Sequence, residues 1–140
     1  MLYKQIVTQK YRMMKNNVVG WFEIPVNDME RAVQFYEIVL DLKLERHLMG
    51  PLDMAWFPMV ENGGGAAGSL VKHPDFYIPS VDGVLIYLTA SSGDLSNELA
   101  RVEPAGGKVI QDKKQISDEY GFMALILDTE GNRVALHSRK

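Results

Sequence analysis

Glu23 is the most informative polar residue in the sequence. It lies in the apolar run VVGWFEIPV, residues 18–26, two positions after Trp21. In an extended strand the two side chains therefore point to one face. A carboxylate held in a half-dry pocket serves as a general base or as a polar ligand anchor. Paired with Arg133 or with backbone at the strand end, it is structural instead. His137 shares the phase of Ala135 and would join Glu23 as an acid–base pair, or else is a partly solvated histidine near the C-terminus. His47 beside Arg46 and His73 beside Lys72 read as surface residues. Trp21, Trp56 and Tyr87 would wall a cavity suited to a planar or apolar molecule, or else pack in the core. The chain has no cysteine, which excludes disulfides, thiol nucleophiles and thiolate metal sites. The glycine-rich residues 62–68 lack a following Lys-Ser/Thr and do not open a helix, so they are not a phosphate cradle.

These residues sit on elements that local patterning predicts. Residues 18–26 read as a strand running into Asn27-Asp28, with Asn27 and Glu30 spaced as a capping box. Met29, Ala32, Val33, Tyr36 and Leu40 then mark one face of a helix of about three turns. Strands are expected over 42–47, 54–60 and 69–72, with the glycine loop before the last. Residues 74–82, with Pro74 and Pro79, form the best linker. After it come a strand over 83–89, a helix over 94–102 stopped by Pro104 and Gly106-Gly107, and strands over 108–111, 121–127 and 133–138. Residues 128–132, DTEGN, read as a hairpin turn with glycine at the position needing positive φ. The order βαβββ thus occurs twice, in modules 18–73 and 83–140. The expected fold class is α+β: two curved mixed sheets, each backed by a helix, around a cavity.

At 140 residues, 46% hydrophobic and 24% charged, the chain has room for one domain with a real core. The head, residues 1–17, carries Lys4, Lys10, Arg12 and Lys15 and no acid, and reads as a poorly ordered tail. Met13 and Met14 directly precede the first clear strand and offer a downstream start. The rest of the chain is net acidic, so no nucleic-acid partner is expected. No apolar run approaches the roughly 20 residues of a membrane span, so no membrane partner is expected. No secretory leader is expected either, and the expected location is cytoplasmic.

Three stretches carry a family resemblance: residues 22–32 running to Phe35-Tyr36, residues 99–109 around Ala105-Gly106-Gly107, and residues 128–134. With the repeated module they resemble the glyoxalase/bleomycin-resistance/dioxygenase, or vicinal oxygen chelate (VOC), superfamily over roughly residues 18–140. In metal-using members the resemblance implies one metal in the cavity, held by about four His, Glu or Gln side chains from the first and fourth strands of each module. Those positions fall here at Trp21, at residues 69–71, at Leu85 and at Ala135. Trp, Leu and Ala offer no side-chain ligand.

The leading expectation is therefore a member with a degenerate metal site and no cofactor. It binds a small aromatic or apolar molecule, as a binding module or a metal-independent enzyme, with Glu23 as anchor. One alternative is a metal-dependent lyase, isomerase or dioxygenase of glyoxalase type, with a divalent metal at a shifted site using Glu23, His137 and a carboxylate such as Glu61. Another is a resistance protein that sequesters a toxin or antibiotic. The expected partners are a small-molecule ligand and, because the family often builds cavities between chains, a second copy in a homodimer.

Overall fold

The alternation of apolar and polar residues that marks the strands, and the wider stripe that marks the helices, both survive in three dimensions. The computed structural model describes residues 2–140, the side chain of residue 10 apart. The first module comprises β1 (Phe22–Pro25), α2 (Met29–Leu40), β2 (Glu45–Met49), β3 (Leu52–Trp56) and β4 (Gly68–Lys72). The second comprises β5 (Tyr87–Thr89), α3 (Leu95–Val102), β6 (Lys108–Ser117), β7 (Gly121–Leu127) and β8 (Arg133–Ser138). Each module folds its strands into one four-stranded sheet, ordered β1-β4-β3-β2 and β5-β8-β7-β6. In each, the first and last strands run parallel and the remaining pairs antiparallel. The two sheets stay separate and do not close into a barrel. The expected α+β class and the double βαβββ order are both present.

The core lies between the sheets' helix-bearing faces. On α2 the expected stripe widens. Met29, Ala32, Tyr36 and Leu40 are buried as their spacing predicts, and Phe35 and Val39 are buried with them. Full burial of a side chain such as Phe35 stabilises the fold by about 2–3 kcal/mol. The helices α2 and α3 pack on each other, and Ile24, Ala55 and Leu70 join Leu95, Ile126 and Leu136 in one apolar cluster spanning both modules. Gly107 marks a close approach between the modules. A Cβ there would stand 2.6 Å from Leu127 O and 2.6 Å from Phe35 Cε2.

Several local expectations shift. The N-cap of α2 is Asp28, which accepts from Arg31 N–H, and not Asn27. The reason is long-range: Glu130 accepts from the Asn27 N–H that Glu30 would take in a capping box, at 2.9 Å, and from the Asp28 N–H at 2.8 Å. Glu30, freed from that role, pairs with Arg46. Strands β1 and β5 are shorter than their apolar runs, β2 and β3 lie offset from the expected spans, and β6 extends to Ser117 through register shifts. The head, read as a poorly ordered tail, carries one regular element. Leu2–Arg12 forms an α-helix, α1, which packs against no other element.

The turn between β7 and β8 joins the modules. Gly131 adopts φ +91°, as the expected turn requires. Asp128 accepts from the N–H groups of Glu130 and Asn132 and from the Tyr36 hydroxyl on α2, the last at 2.6 Å. Burial, then the neighbouring Asp128 charge, raises the Tyr36 hydroxyl pKa well above its ordinary value. Asn132 Nδ2 donates to Pro25 O at 2.8 Å. These bonds set the start of β8 against the end of β1.

Candidate functional site

Strand alternation decides which side chains are available for binding. Ile24, Ala55 and Leu70 face the core, so Glu23, Trp56 and Ser69 face the opposite side of the first sheet, where Ser69 is fully buried. Register aligns them in a row: Trp56 pairs with Ser69 across β3 and β4, and Ser69 pairs with Glu23 across β4 and β1. Trp21, just before β1, meets Trp56 edge-on with ring centroids 5.6 Å apart. His47 on β2 stacks on the same indole at 3.9 Å. Trp21 stays 38% exposed.

Three buried polar atoms of this cluster have no hydrogen-bond partner among the described residues: Trp56 Nε1, His47 Nε2 and Ser69 Oγ. His47 Nε2 lies 3.2 Å from Glu45 Oε1 but without hydrogen-bond geometry. Each such atom left unsatisfied costs about 1–3 kcal/mol.

Glu23 accepts from the Tyr77 hydroxyl at 2.7 Å, so its partner is a linker residue and neither Arg133 nor strand-end backbone. That bond, then burial and the Glu23 charge, raises the Tyr77 hydroxyl pKa. Glu23 and Arg133 nonetheless line one cleft of about 270 Å³ between the modules, with Pro25, Ile78, Val84 and Ile86. A groove of about 920 Å³ along the outer side of α2 is larger but open and mostly polar.

The predicted site residues thus divide. Trp21, Trp56 and Glu23 share one face. Tyr87 lies on the second sheet, half exposed and paired with Ala135. His137 lies on the second sheet too, its Nε2 placed 2.6 Å from Tyr120 O. It stands four residues along β8 from Arg133, about 13 Å by strand rise. The structure therefore does not bring His137 to Glu23. Sequence reasoning missed His47, Ser69 and Tyr77. The β2–β3 register that sets His47 diagonally beside Trp56 would have found the first. Nothing local points to Tyr77, 54 residues from Glu23.

The profile of the Glyoxalase/Bleomycin resistance protein/Dioxygenase superfamily matches residues 18–136. The chain belongs to this superfamily. Among solved structures, this VOC chain is similar to a glyoxylase/bleomycin resistance protein/dioxygenase domain from Frankia sp. EAN1pec. That match has 18% identity and a TM-score of 0.67, covering 89% of this chain and 98% of that one. It is similar to TnmS3, an antibiotic-binding protein from Streptomyces sp. CB03234, at 23% identity and TM-score 0.59, covering 91% and 99%. Maize glyoxalase I is similar at 18% identity and TM-score 0.62, over 85% of this chain. The chain spans only 45% of that enzyme's length. No curated protein matches. At these identities the likeness speaks for the fold.

The VOC metal does not fit the residues at its expected positions. Trp21, Leu85 and Ala135 carry no ligating atom, and Ser69 supplies at most a weak neutral oxygen. The shifted set fares no better. Among the described residues no group of three or more His, Cys, Asp or Glu side chains converges on a common point, so Glu23, His137 and Glu61 do not assemble. No helix among the described residues is long and apolar enough to cross a membrane.

Proposed function

We propose that this VOC protein binds a small planar or apolar molecule at the Trp21–Trp56 face of its first sheet, without a resident metal, as a binding module. The observation that carries the reading is the aromatic cluster of Trp21, Trp56 and His47 with its unpartnered polar atoms. An aromatic surface beside Trp56 N–H and Ser69 O–H suits a flat ligand that carries hydrogen-bond acceptors. Glu23, steadied by Tyr77, anchors a donor on the same ligand. The antibiotic-binding relative makes sequestration a natural use of such a face. The absence of an assembled Glu23–His137 pair favours binding over acid–base turnover. A homodimer belongs to the same proposal: the edge strand β2 leaves Leu48 and Met49 exposed, where a second copy would cover them.

Titration with 1,4-naphthoquinone, a flat compound with two carbonyl acceptors, tests the reading through tryptophan fluorescence. Saturable quenching is expected, lost in Trp21→Ala, with the quinone recovered unchanged. Turnover of the quinone, or quenching unaffected by Trp21→Ala, would refute it. Elemental analysis of protein purified without chelator tests the metal claim, and one tightly held transition metal per chain would overturn it. Light scattering at micromolar concentration tests the dimer, and a monomer would remove it.

A further inference from the structure

Among the described residues, the buried side-chain polar atoms of the inter-module cleft have hydrogen-bond partners with one exception. Glu23 takes the Tyr77 hydroxyl. Asn132 serves Pro25 O, Asp128 and Ser80 N–H. Ser80 Oγ accepts from Asp82 N–H. Arg133 Nε is buried and has no acceptor among the described residues, and the guanidinium forms no ion pair there. The walls around it are aliphatic. Two of them, Ile78 at 71% and Val84 at 91% exposed, leave apolar surface in water. A buried arginine nitrogen without an acceptor is costly, and so is the exposed aliphatic rim beside it.

We infer that this cleft is a second binding site, distinct from the aromatic face, and that it takes a small aliphatic monocarboxylate. The ligand's carboxylate meets Arg133, whose planar fork matches a carboxylate with charge-assisted hydrogen bonds. Its hydrocarbon body lies on Pro25, Ile78, Val84 and Ile86. The cleft's volume of about 270 Å³ falls just below that of drug-sized pockets, so the body is short. Glu23 on the same wall sets the charge limit, because a second carboxylate on the ligand would face it.

Calorimetric titration of the full chain with hexanoate, hexanamide and adipate tests the assignment. Hexanoate is expected to bind. Hexanamide is expected to bind about tenfold more weakly or worse, as loss of a charged hydrogen bond implies. Adipate is expected to bind more weakly than hexanoate. Arg133→Met is expected to lower hexanoate affinity by about tenfold with unchanged circular dichroism. Trp21→Ala is expected to leave hexanoate binding intact, which separates this site from the aromatic face. The inference is overturned if none of the three compounds binds, if hexanamide or adipate matches hexanoate, if Arg133→Met binds like the wild type, or if Trp21→Ala abolishes binding. Should Arg133→Met not fold, the comparison of acid with amide on the wild-type chain decides the question.

Discussion

Replacing Glu130 by glutamine tests the claim that the β7–β8 turn clamps the two modules together. Burial pushes the Glu130 carboxyl pKa upward, but hydrogen bonds from Arg31, from the Asp28 and Asn27 N–H groups and from Thr129 outweigh it. The result is about 2, against an ordinary 4.5. Glutamine keeps one carbonyl oxygen for the two backbone N–H groups. It turns an amide NH2 toward Arg31 Nε and the Thr129 hydroxyl, which lie 2.8 and 2.9 Å from Glu130 Oε2. A shift of that size corresponds to about 3 kcal/mol of stability. Arg31 is half exposed, so solvent screens its share, and about 2 kcal/mol is the expected loss at pH 7. For a domain of this size the melting temperature would fall by roughly 5–10 °C. Because the folded pKa lies below the unfolded one, the stabilisation is fully present above about pH 4.5. It fades as the pH falls toward 2. The gap between wild type and Glu130→Gln in urea denaturation should therefore narrow steadily through that window. Asp94, held at about 2 chiefly by Lys113, titrates in the same range but in both proteins, and cancels. A variant as stable as wild type at pH 7, or a gap as wide at pH 3 as at pH 7, would refute the clamp.

Two further predictions concern packing. Gly107→Ala would press a methyl into Leu127 O and Phe35 at the module junction and should cost about 1–3 kcal/mol in denaturant titration; an unchanged midpoint would show that the junction is looser than the structure has it. Removal of residues 1–17 should leave the melting temperature within about 1 °C, because α1 packs on nothing; a larger fall would mean that the head supports the domain.

Element order was legible in the sequence because periodicity is local. The stripe on α2, the spans of β7 and β8 and the φ-positive Gly131 all follow from a few neighbouring residues. What failed was decided at a distance. Asn27 and Glu30 have the spacing of a capping box, yet the turn a hundred residues away supplies the acceptor that Glu30 would have been. Alternation correctly placed Glu23 on the face of Trp21 and His137 on the face of Ala135. It could not say how the two sheets would be placed against each other, or that Glu23 would meet Tyr77. His47 read as a surface residue because its neighbour is Arg46. Only the β2–β3 register, offset from the expected spans, lays it on Trp56.

The same clamp gives the candidate sites their shape. Asn132 ties Pro25 to the start of β8, so the residue after it, Arg133, must come to rest beside Glu23 and not out in solvent. Glu23 is then shared between two environments, an aromatic face on one side and an aliphatic cleft on the other. At the first-strand position, where metal-using relatives are expected to aim a ligand nitrogen, this chain aims the indole of Trp21. On the proposed reading the chemistry delivered along that direction would be stacking and not coordination. A single substitution at one ligand position would weaken a metal site. Trp21, Leu85 and Ala135 offer none of its donors at the positions the resemblance assigns, and on the proposed reading the aromatic rings and unpartnered N–H and O–H groups of the first sheet would recognise a ligand instead.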